Sequence, residues 1–294
     1  MKSFQGQGGA RRSTGLIAAT LGYSRQYFYK QQKDLAKEEL KKQHVKHLID
    51  QQRKLLPRLG TRKIHHLIKD ELELKQIKFG RDKLFDLMRE YNLLIKPQRR
   101  YVQTTNSKHW LKKWPNIIKD LPVNAPNEVW VSDITYIKTE EGNCYLNMVT
   151  DAFSRKIVGY AVDANMEAEN MIKALKMATK QKNTDVLTIH HSDRGLQYCS
   201  KEYVQFSEQN NILLSMTEKS DPYENALAER MNRTIKEEFG INRKMKNKQQ
   251  LEELLKESID LYNRKRPHLS LKMKTPEEVY QRKKSRLPEA IGIN

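Results

Sequence analysis

Residues 128–138 read Glu-Val-Trp-Val-Ser-Asp-Ile-Thr-Tyr-Ile-Lys and indicate the fold of the chain. The run alternates in polarity and is rich in β-branched and aromatic residues, which is typical of a β-strand. Asp133 interrupts its apolar pattern. Since Asp is depleted in strands and a buried carboxylate needs a compensating partner or a metal, the stretch predicts a strand that carries a functional acidic residue.

The residues that follow extend this strand into an α/β domain. Two further β-rich runs, 144–149 and 156–162, are joined by short turns and predict an antiparallel meander. Helical and strand patterns then alternate at 167–179 (helix), 186–190 (strand), 200–208 (helix) and 212–216 (strand), before a helix that contains Glu229 and another at 248–262. This order predicts an α/β fold with a mixed sheet.

The N-terminal part has a helical pattern instead. Residues 13–35 read as two short helices around a turn at 22–24, a helix-turn-helix pattern whose second helix would present Arg25, Gln26 and Lys30 to DNA. An ordinary helical hairpin is the alternative interpretation.

A second helix-turn-helix is predicted from about residue 41. One helix runs to 56, another begins after Gly60 with Thr61 as a plausible N-cap, and a third follows Gly80. The third helix leaves two basic residues on the surface as candidate DNA contacts, Arg81 and Lys83.

A basic linker then separates these helices from the α/β core. It loses periodicity and contributes candidate contacts to the DNA backbone at Arg99, Arg100, Lys112 and Lys113. The predicted divisions are helix-turn-helix 1–40, second DNA-binding domain 41–97, basic linker 98–124, catalytic core with C-terminal helices 125–285, and tail 286–294.

The charge distribution separates the same regions. Lys and Arg number 28 against 11 Asp and Glu in residues 1–120, 11 against 16 in 121–230, and 16 against 9 in 231–294. Basic arms neutralise phosphates, whereas an acidic centre can hold divalent cations. The pattern favours a DNA-processing enzyme over a generic basic protein.

Composition also limits other classes of protein. No apolar run approaches the 18 or so residues of a membrane span, and the N-terminus lacks a signal-peptide core, so a cytoplasmic, nucleoid-associated protein without a membrane partner is expected. Cys144 and Cys199 are far apart and lack partners at metal-ligand spacing, which favours two reduced, partly buried thiols over a disulfide or a zinc site.

Three carboxylates are candidate metal ligands. Asp133 lies in the first strand, Asp193 follows the fourth, and Glu229 comes 35 intervening residues later on a helix. Magnesium prefers such hard oxygen ligands, and two magnesium ions suit phosphodiester chemistry. Alone, Asp193 could be an ordinary turn residue and Glu229 could pair with Arg233 at i+4, so the inference depends on all three together.

The helix that contains Glu229 has distinct faces. Leu227, Met231 and Ile235 recur every four residues and should face the core, whereas Glu229 points about 200° away from Leu227. The spacing predicts an accessible face that presents Glu229 with three polar or basic neighbours, Asn225, Arg233 and Lys236.

The chain resembles the transposases of bacterial insertion sequences that have a retroviral-integrase-like DDE core, specifically the larger protein of two-reading-frame elements. The resemblance covers residues 44–279. It rests on Trp-Val-Ser-Asp-Ile-Thr-Tyr at 130–136, Asp-Ala-Phe-Ser-Arg-Lys-Ile-Val-Gly at 151–159, His-Ser-Asp-Arg-Gly at 191–195, Pro-Tyr-Glu-Asn-Ala at 222–226 with Glu229, and Arg-Pro-His at 266–268.

The resemblance implies a ribonuclease H-like core in which Asp133 contacts two Mg²⁺ or Mn²⁺ ions while Asp193 and Glu229 each complete one. It also implies that Arg233 and Lys236 lie against the DNA end, that Asp151 is structural, and that the protein assembles as a homodimer or higher oligomer on paired ends. Relatives are often fused to an upstream-frame helix-turn-helix protein, which is a possible partner here.

The expected function is therefore DNA transposition. The protein would bind terminal inverted repeats, cleave at a 3′ end and transfer that end to target DNA. The alternatives are a DNA-binding regulator or inhibitor of transposition with a non-catalytic core, which the intact acidic residues disfavour, and a nuclease of the same fold, which the basic arms disfavour.

Overall fold

The computed structural model describes residues 20, 22–96, 113–182, 186–218, 225–241 and 245–284. Its helices are α1 (Arg25–Leu55), α2 (Thr61–Leu74), α3 (Arg81–Glu90), α4 (Ala168–Thr179), α5 (Lys201–Gln209), α6 (Ala226–Glu238), α7 (Lys248–Lys265) and α8 (Pro276–Lys284). Its strands are β1 (Val129–Thr139), β2 (Gly142–Asp151), β3 (Ile157–Asp163), β4 (Thr188–Ser192) and β5 (Ile212–Met216). None of the helices in these ranges is long and apolar enough to cross a membrane.

The strands form one mixed sheet in the order β3-β2-β1-β4-β5. The first three make the predicted antiparallel meander, whereas β4 and β5 run parallel to β1. The parallel strands are reached through α4 and α5, as crossover connections require. The predicted α/β class and the order of the elements are confirmed.

Helices cover both faces of the sheet. On one face, Trp130 and Val149 pack with α4 and α5, and on the other, Ile137 and Leu146 pack with α6 and α7. Alternate residues of β1 therefore belong to different cores, as the strand period of two requires. Both cysteines are buried.

Helix α1 crosses a predicted domain boundary. It continues through residues 40 and 41, where sequence analysis places a boundary. Residues 36–46 contain no Gly or Pro and are rich in Lys and Glu, so nothing in them ends a helix. Most of the first predicted helix, within residues 13–21, falls outside the described residues.

The predicted N-cap of α2 was wrong by one residue. Gly60 has the extended backbone of a cap, with φ −77° and ψ 156°, while Thr61 is already helical and is buried. A capping position depends on this half-extended backbone, and Gly60 adopts it although it has no side chain to accept a hydrogen bond.

The described end of the predicted linker packs against the core. The Ile117 amide donates to Ser215 Oγ at 3.1 Å, and the Met216 amide donates to the Pro115 carbonyl at 3.4 Å. Residues 115–117 thus run beside β5, where they satisfy polar groups of an edge strand. The sequence pattern did not predict the contact between residues 115–117 and β5. These residues lie along the edge strand without forming a strand of their own, so they have no strand periodicity.

Candidate active site

Asp133 and Asp193 lie next to each other because of the register between two parallel strands. Val131 of β1 is opposite His191 of β4, so two more residues along each chain bring the two aspartates side by side. Neighbouring strands are about 4.8 Å apart. Asp193 directly follows Ser192, the last residue of β4, and both carboxylates belong to half-buried residues.

Glu229 approaches this pair from helix α6. It lies in the first turn of the helix and is exposed, as predicted. The positive end of the helix dipole favours an acidic residue at this position. Ala228, the residue before it, packs against Val129 and Val131 of β1, which fixes the start of the helix over the strand.

The three carboxylates are coupled electrostatically. Burial, the negative charge of Asp193 and, more weakly, that of Glu229 raise the pKa of Asp133 to about 7, while a hydrogen bond from Asn232 opposes the shift. Burial also raises the pKa of Glu229, with Arg233 lowering it and Asp193 raising it. Burial and the mutual repulsion of closely grouped carboxylates both disfavour the charged forms, a pattern that is common at functional sites.

Hydrogen bonds orient the two aspartates. Asn232 Nδ2 donates to Asp133 Oδ2 at 2.9 Å, and the Gly195 amide donates to Asp193 Oδ1 at 3.1 Å. A Cβ atom at Gly195 would lie 3.1 Å from the same Oδ1 and 3.0 Å from Gln197 Oε1. The glycine therefore lets the backbone approach the Asp193 carboxylate closely.

A stripe of polar residues holds α6 along β1. Asn225 donates to the Ser132 carbonyl at 3.0 Å, Asn232 donates to Asp133, and Lys236 donates to Thr135 Oγ1 at 2.9 Å and to the Tyr136 carbonyl at 2.8 Å. The three donors follow the spacing i, i+7, i+11, which keeps them on one helix face.

The predicted accessible position of Lys236 was wrong. The residue is buried, its ammonium group lies 5.1 Å from the centroid of the Tyr136 ring, and burial lowers its pKa. Helical spacing correctly placed Lys236 on the same side of the helix as Glu229, two turns later. Strand β1 runs alongside this end of the helix, and it covers the Lys236 side chain. Arg233 is exposed, as expected.

The ligand chemistry of the site fits magnesium. In the described part of the chain, no three His, Cys, Asp or Glu side chains are already grouped tightly enough to hold one ion. Magnesium is usually held by only one or two carboxylates together with water and substrate phosphates. Asp133, Asp193 and Glu229 supply carboxylate oxygens of the kind that magnesium prefers, so their chemistry suits a divalent cation.

The other predicted DNA contacts belong to several different segments of the chain. Arg25, Gln26 and Lys30 are exposed at the start of α1, and the Arg25 guanidinium donates to the Tyr29 hydroxyl. Three more are exposed outside that helix: Arg81, Lys83 and Lys113. The remaining three lie outside the described residues: Arg99, Arg100 and Lys112.

A buried polar network lies on the side of β1 that faces α5, opposite the side that contacts α6. Ser132 Oγ lies 2.7 Å from His190 Nε2, and His190 Nδ1 lies 3.0 Å from the Tyr203 hydroxyl. Burial and the neighbouring His191 lower the pKa of His190 to about 3, so the ring is neutral at pH 7. The network ties β1, β4 and α5 together beside Asp133.

Sequence reasoning did not identify Asn232 as a site residue. Its spacing offered a signal, because it lies three residues after Glu229 and seven after Asn225, on the same helix face. Asn225 was placed on the accessible face, but that prediction was wrong: the residue is buried and donates to strand β1, a contact that depends on tertiary packing.

Comparisons with known proteins identify the family of the chain. Two integrase core domain families match the chain, over residues 123–222 and 210–276. The insertion element IS600 uncharacterized 31 kDa protein of Shigella sonnei is 38% identical over 214 residues, or 72% of this chain and 77% of that protein. The transposase for insertion sequence element IS904 of Lactococcus lactis is 33% identical over 194 residues, or 65% and 77% of the two chains.

Among solved structures, the HTLV-2 integrase catalytic core domain in complex with magnesium matches 53% of this chain and 97% of its own, with 19% identity and a TM-score of 0.44. The matched domains and the mixed sheet define a ribonuclease H-like integrase core. The chain belongs to the insertion-sequence transposases that have this integrase core.

Proposed function

We propose that this transposase binds the terminal inverted repeats of its element, cleaves the DNA at their 3′ ends and joins those ends to target DNA. Asp133, Asp193 and Glu229 are the proposed ligands of two divalent cations, Mg²⁺ or Mn²⁺. The observation that carries the proposal is the convergence of three carboxylates from β1, the residue after β4 and helix α6, which follows from the strand register, the packing of Ala228 on β1 and the Asn232–Asp133 hydrogen bond.

Each residue has a distinct part in the proposed site. Asp133 is coupled to both other carboxylates and would hold both cations, whereas Asp193 and Glu229 would each hold one. Asn232 and the Gly195 amide hold the aspartates in place through the bonds described above. When bound, the cations neutralise phosphate charge and activate the attacking oxygen.

The proposed chemistry uses no covalent protein–DNA intermediate. Water first breaks a phosphodiester bond and leaves a 3′-hydroxyl. That hydroxyl then attacks a target phosphodiester, forming one P–O bond while the target's 3′ oxygen leaves. Ser192, beside Asp193, is buried and its hydroxyl donates to the Asp193 carbonyl at 2.9 Å, so it is not presented as a nucleophile.

The N-terminal helices and basic segments are the proposed DNA-binding elements. Their exposed basic residues, at the starts of α1 and α3 and before β1, suit phosphate contacts. We further propose that the protein acts as a homodimer or higher oligomer on paired ends, with an upstream-frame helix-turn-helix protein as a possible partner.

The test uses labelled terminal-repeat duplexes with Mg²⁺ or Mn²⁺, and compares the wild type with Asp193→Asn. We expect 3′-end cleavage and strand-transfer products from the wild type and none from the variant, while both proteins bind the duplex equally. EDTA should abolish both products and leave binding unchanged.

Other outcomes would reject the proposal in different ways. If both proteins bind and neither cleaves, the chain is a DNA-binding regulator. If the wild type cleaves without preference for the ends and makes no joined product, it is a nuclease.

A further inference from the structure

A cleft of about 540 Å³ lies where the N-terminal helices meet the catalytic core. We call it the junction cleft, and its walls include Arg58, Arg62 and Lys63 near the start of α2 together with Glu238 and Leu269 of the core. It is separate from the candidate active site, and none of the site residues described above lines it.

Positive charge exceeds negative charge in the junction cleft. Glu238, its acidic residue, accepts two hydrogen bonds from Arg266, from Nε at 2.7 Å and Nη2 at 2.6 Å. Lys63 Nζ is more distant, 3.8 Å from Glu238 Oε1. Because Arg266 already binds both oxygens of Glu238, Lys63 shares a carboxylate that is largely neutralised.

The other two cations of the cleft have no carboxylate of their own among the described residues. The Arg58 guanidinium donates to the Lys96 carbonyl at 2.8 Å, which does not neutralise its charge. Arg62 is exposed and makes no ion pair within the described ranges. Arg58 and Arg62 are therefore available to an anion that enters the cleft.

The surroundings of Lys63 disfavour its charged form. Burial and the nearby cations Arg266 and Arg230 lower its pKa to about 8, although Glu238 acts in the opposite direction. Close by, the buried Arg266 Nη1 has no hydrogen-bond partner within the described residues. An anion in the cleft would relieve the repulsion among these cations.

We propose that the junction cleft binds a phosphate group of the DNA backbone through Arg58, Arg62 and Lys63. The inference rests on the proposed function and adds a DNA contact outside both the active site and the predicted recognition helices. A phosphate suits the site because three cationic side chains line it and phosphate contacts require no base-reading geometry. Bound here, DNA would contact the helical region and the core at once.

The test measures binding of the full chain to a fluorescein-labelled 30-bp duplex in EDTA, at several salt concentrations. Loss of one phosphate contact lowers the slope of log K against log salt by about 0.9. We expect this decrease, with roughly fivefold weaker binding at 0.15 M salt, in the double variant Arg62→Gln/Lys63→Gln. The control is Lys69→Gln, an exposed residue of the same helix that pairs with Glu73, and it should bind like the wild type.

Arg62→Gln alone guards against misfolding, because Arg62 is exposed and supports no described ion pair. It should weaken binding in the same direction without changing the melting temperature. If Arg62→Gln and the double variant both bind DNA as tightly as the wild type, the phosphate site in the junction cleft is rejected. The proposed function would not be affected by that result. Failure of the wild type to bind any duplex would overturn the phosphate site together with the proposed function.

A free anion is the other source of the same chemistry. Inorganic phosphate, added at constant ionic strength, should compete with DNA in the wild type and compete less in the double variant. If phosphate raises the melting temperature of the wild type alone while DNA binding is identical in both proteins, the cleft binds free phosphate and the assignment to DNA is wrong.

Discussion

Asn232 of helix α6 donates a hydrogen bond of 2.9 Å to Oδ2 of Asp133 on strand β1. The bond joins the helix that carries Glu229 to the strand that carries the central aspartate. It also opposes the rise in the pKa of Asp133 that burial and the neighbouring carboxylates cause. We therefore infer that Asn232 positions Asp133 within the proposed active site.

Replacement of Asn232 should impair catalysis without affecting DNA binding. Removing an outer-shell partner of a metal ligand typically costs about 10–100-fold in metal affinity or activity, so Asn232→Ala should lower the cleavage rate by that factor. The concentration of Mg²⁺ needed for half-maximal rate should rise as well, which a purely structural effect would not produce. Thr234→Ala, on the same helix, is the control. An unchanged metal requirement in Asn232→Ala would contradict the positioning role.

Glu229→Gln should separate catalysis from DNA binding. The substitution preserves size and removes one carboxylate ligand, so cleavage should fall by roughly a hundredfold or more. Because Glu229 is exposed, the melting temperature and the Kd for the duplex should change little. Gel assays of cleavage beside anisotropy titrations measure the two effects. Full cleavage by the variant would remove Glu229 from the site.

Arg233 and Lys236 should respond differently to substitution although they lie on one helix. Lys236→Ala leaves a buried polar cavity beside Thr135 and Tyr136, and the loss of its hydrogen bonds should lower the free energy of unfolding by about 1–3 kcal/mol. Arg233→Ala removes an exposed charge and should weaken binding to the DNA ends while stability is unchanged. Urea denaturation and anisotropy titrations distinguish them. Equal stability loss in both variants would contradict the burial difference.

The free energy of unfolding should fall in acid because of His190. Its pKa in the fold is about 3, below the ordinary value of about 6.5. Unfolding therefore takes up a proton between these values. The contribution of the neutral ring is complete above pH 6.5 and is lost as the pH falls toward 3, at up to about 1.4 kcal/mol per pH unit.

Urea denaturation at pH 7, 6 and 5 measures this slope. His190→Gln should flatten it, whereas the exposed His66→Gln should not. His268, whose pKa burial and nearby cations also lower to about 3, should contribute to the slope that remains. An identical slope in the wild type and His190→Gln would show that His190 is not the titrating group.

The local residue pattern was enough to predict the elements and the candidate carboxylates. The alternation of residues 128–138 predicted β1, and an aspartate inside that apolar run was unusual enough to mark Asp133. The order of strands and helices determined the α/β class, because short connections allow a meander and longer helical connections allow parallel strands. Helical spacing also placed Glu229 on an exposed face.

The surfaces that each helix and strand face contacts depend on the packing of the whole domain. Periodicity gives the angle of a side chain around a helix axis, but the packing of Ala228, Met231 and Ile235 decides how the helix lies on the sheet. For this reason Lys236 is covered by β1 although it shares a face with the exposed Glu229. The partnership of Asn232 with Asp133 joins residues 99 positions apart, and no local pattern contains such a contact.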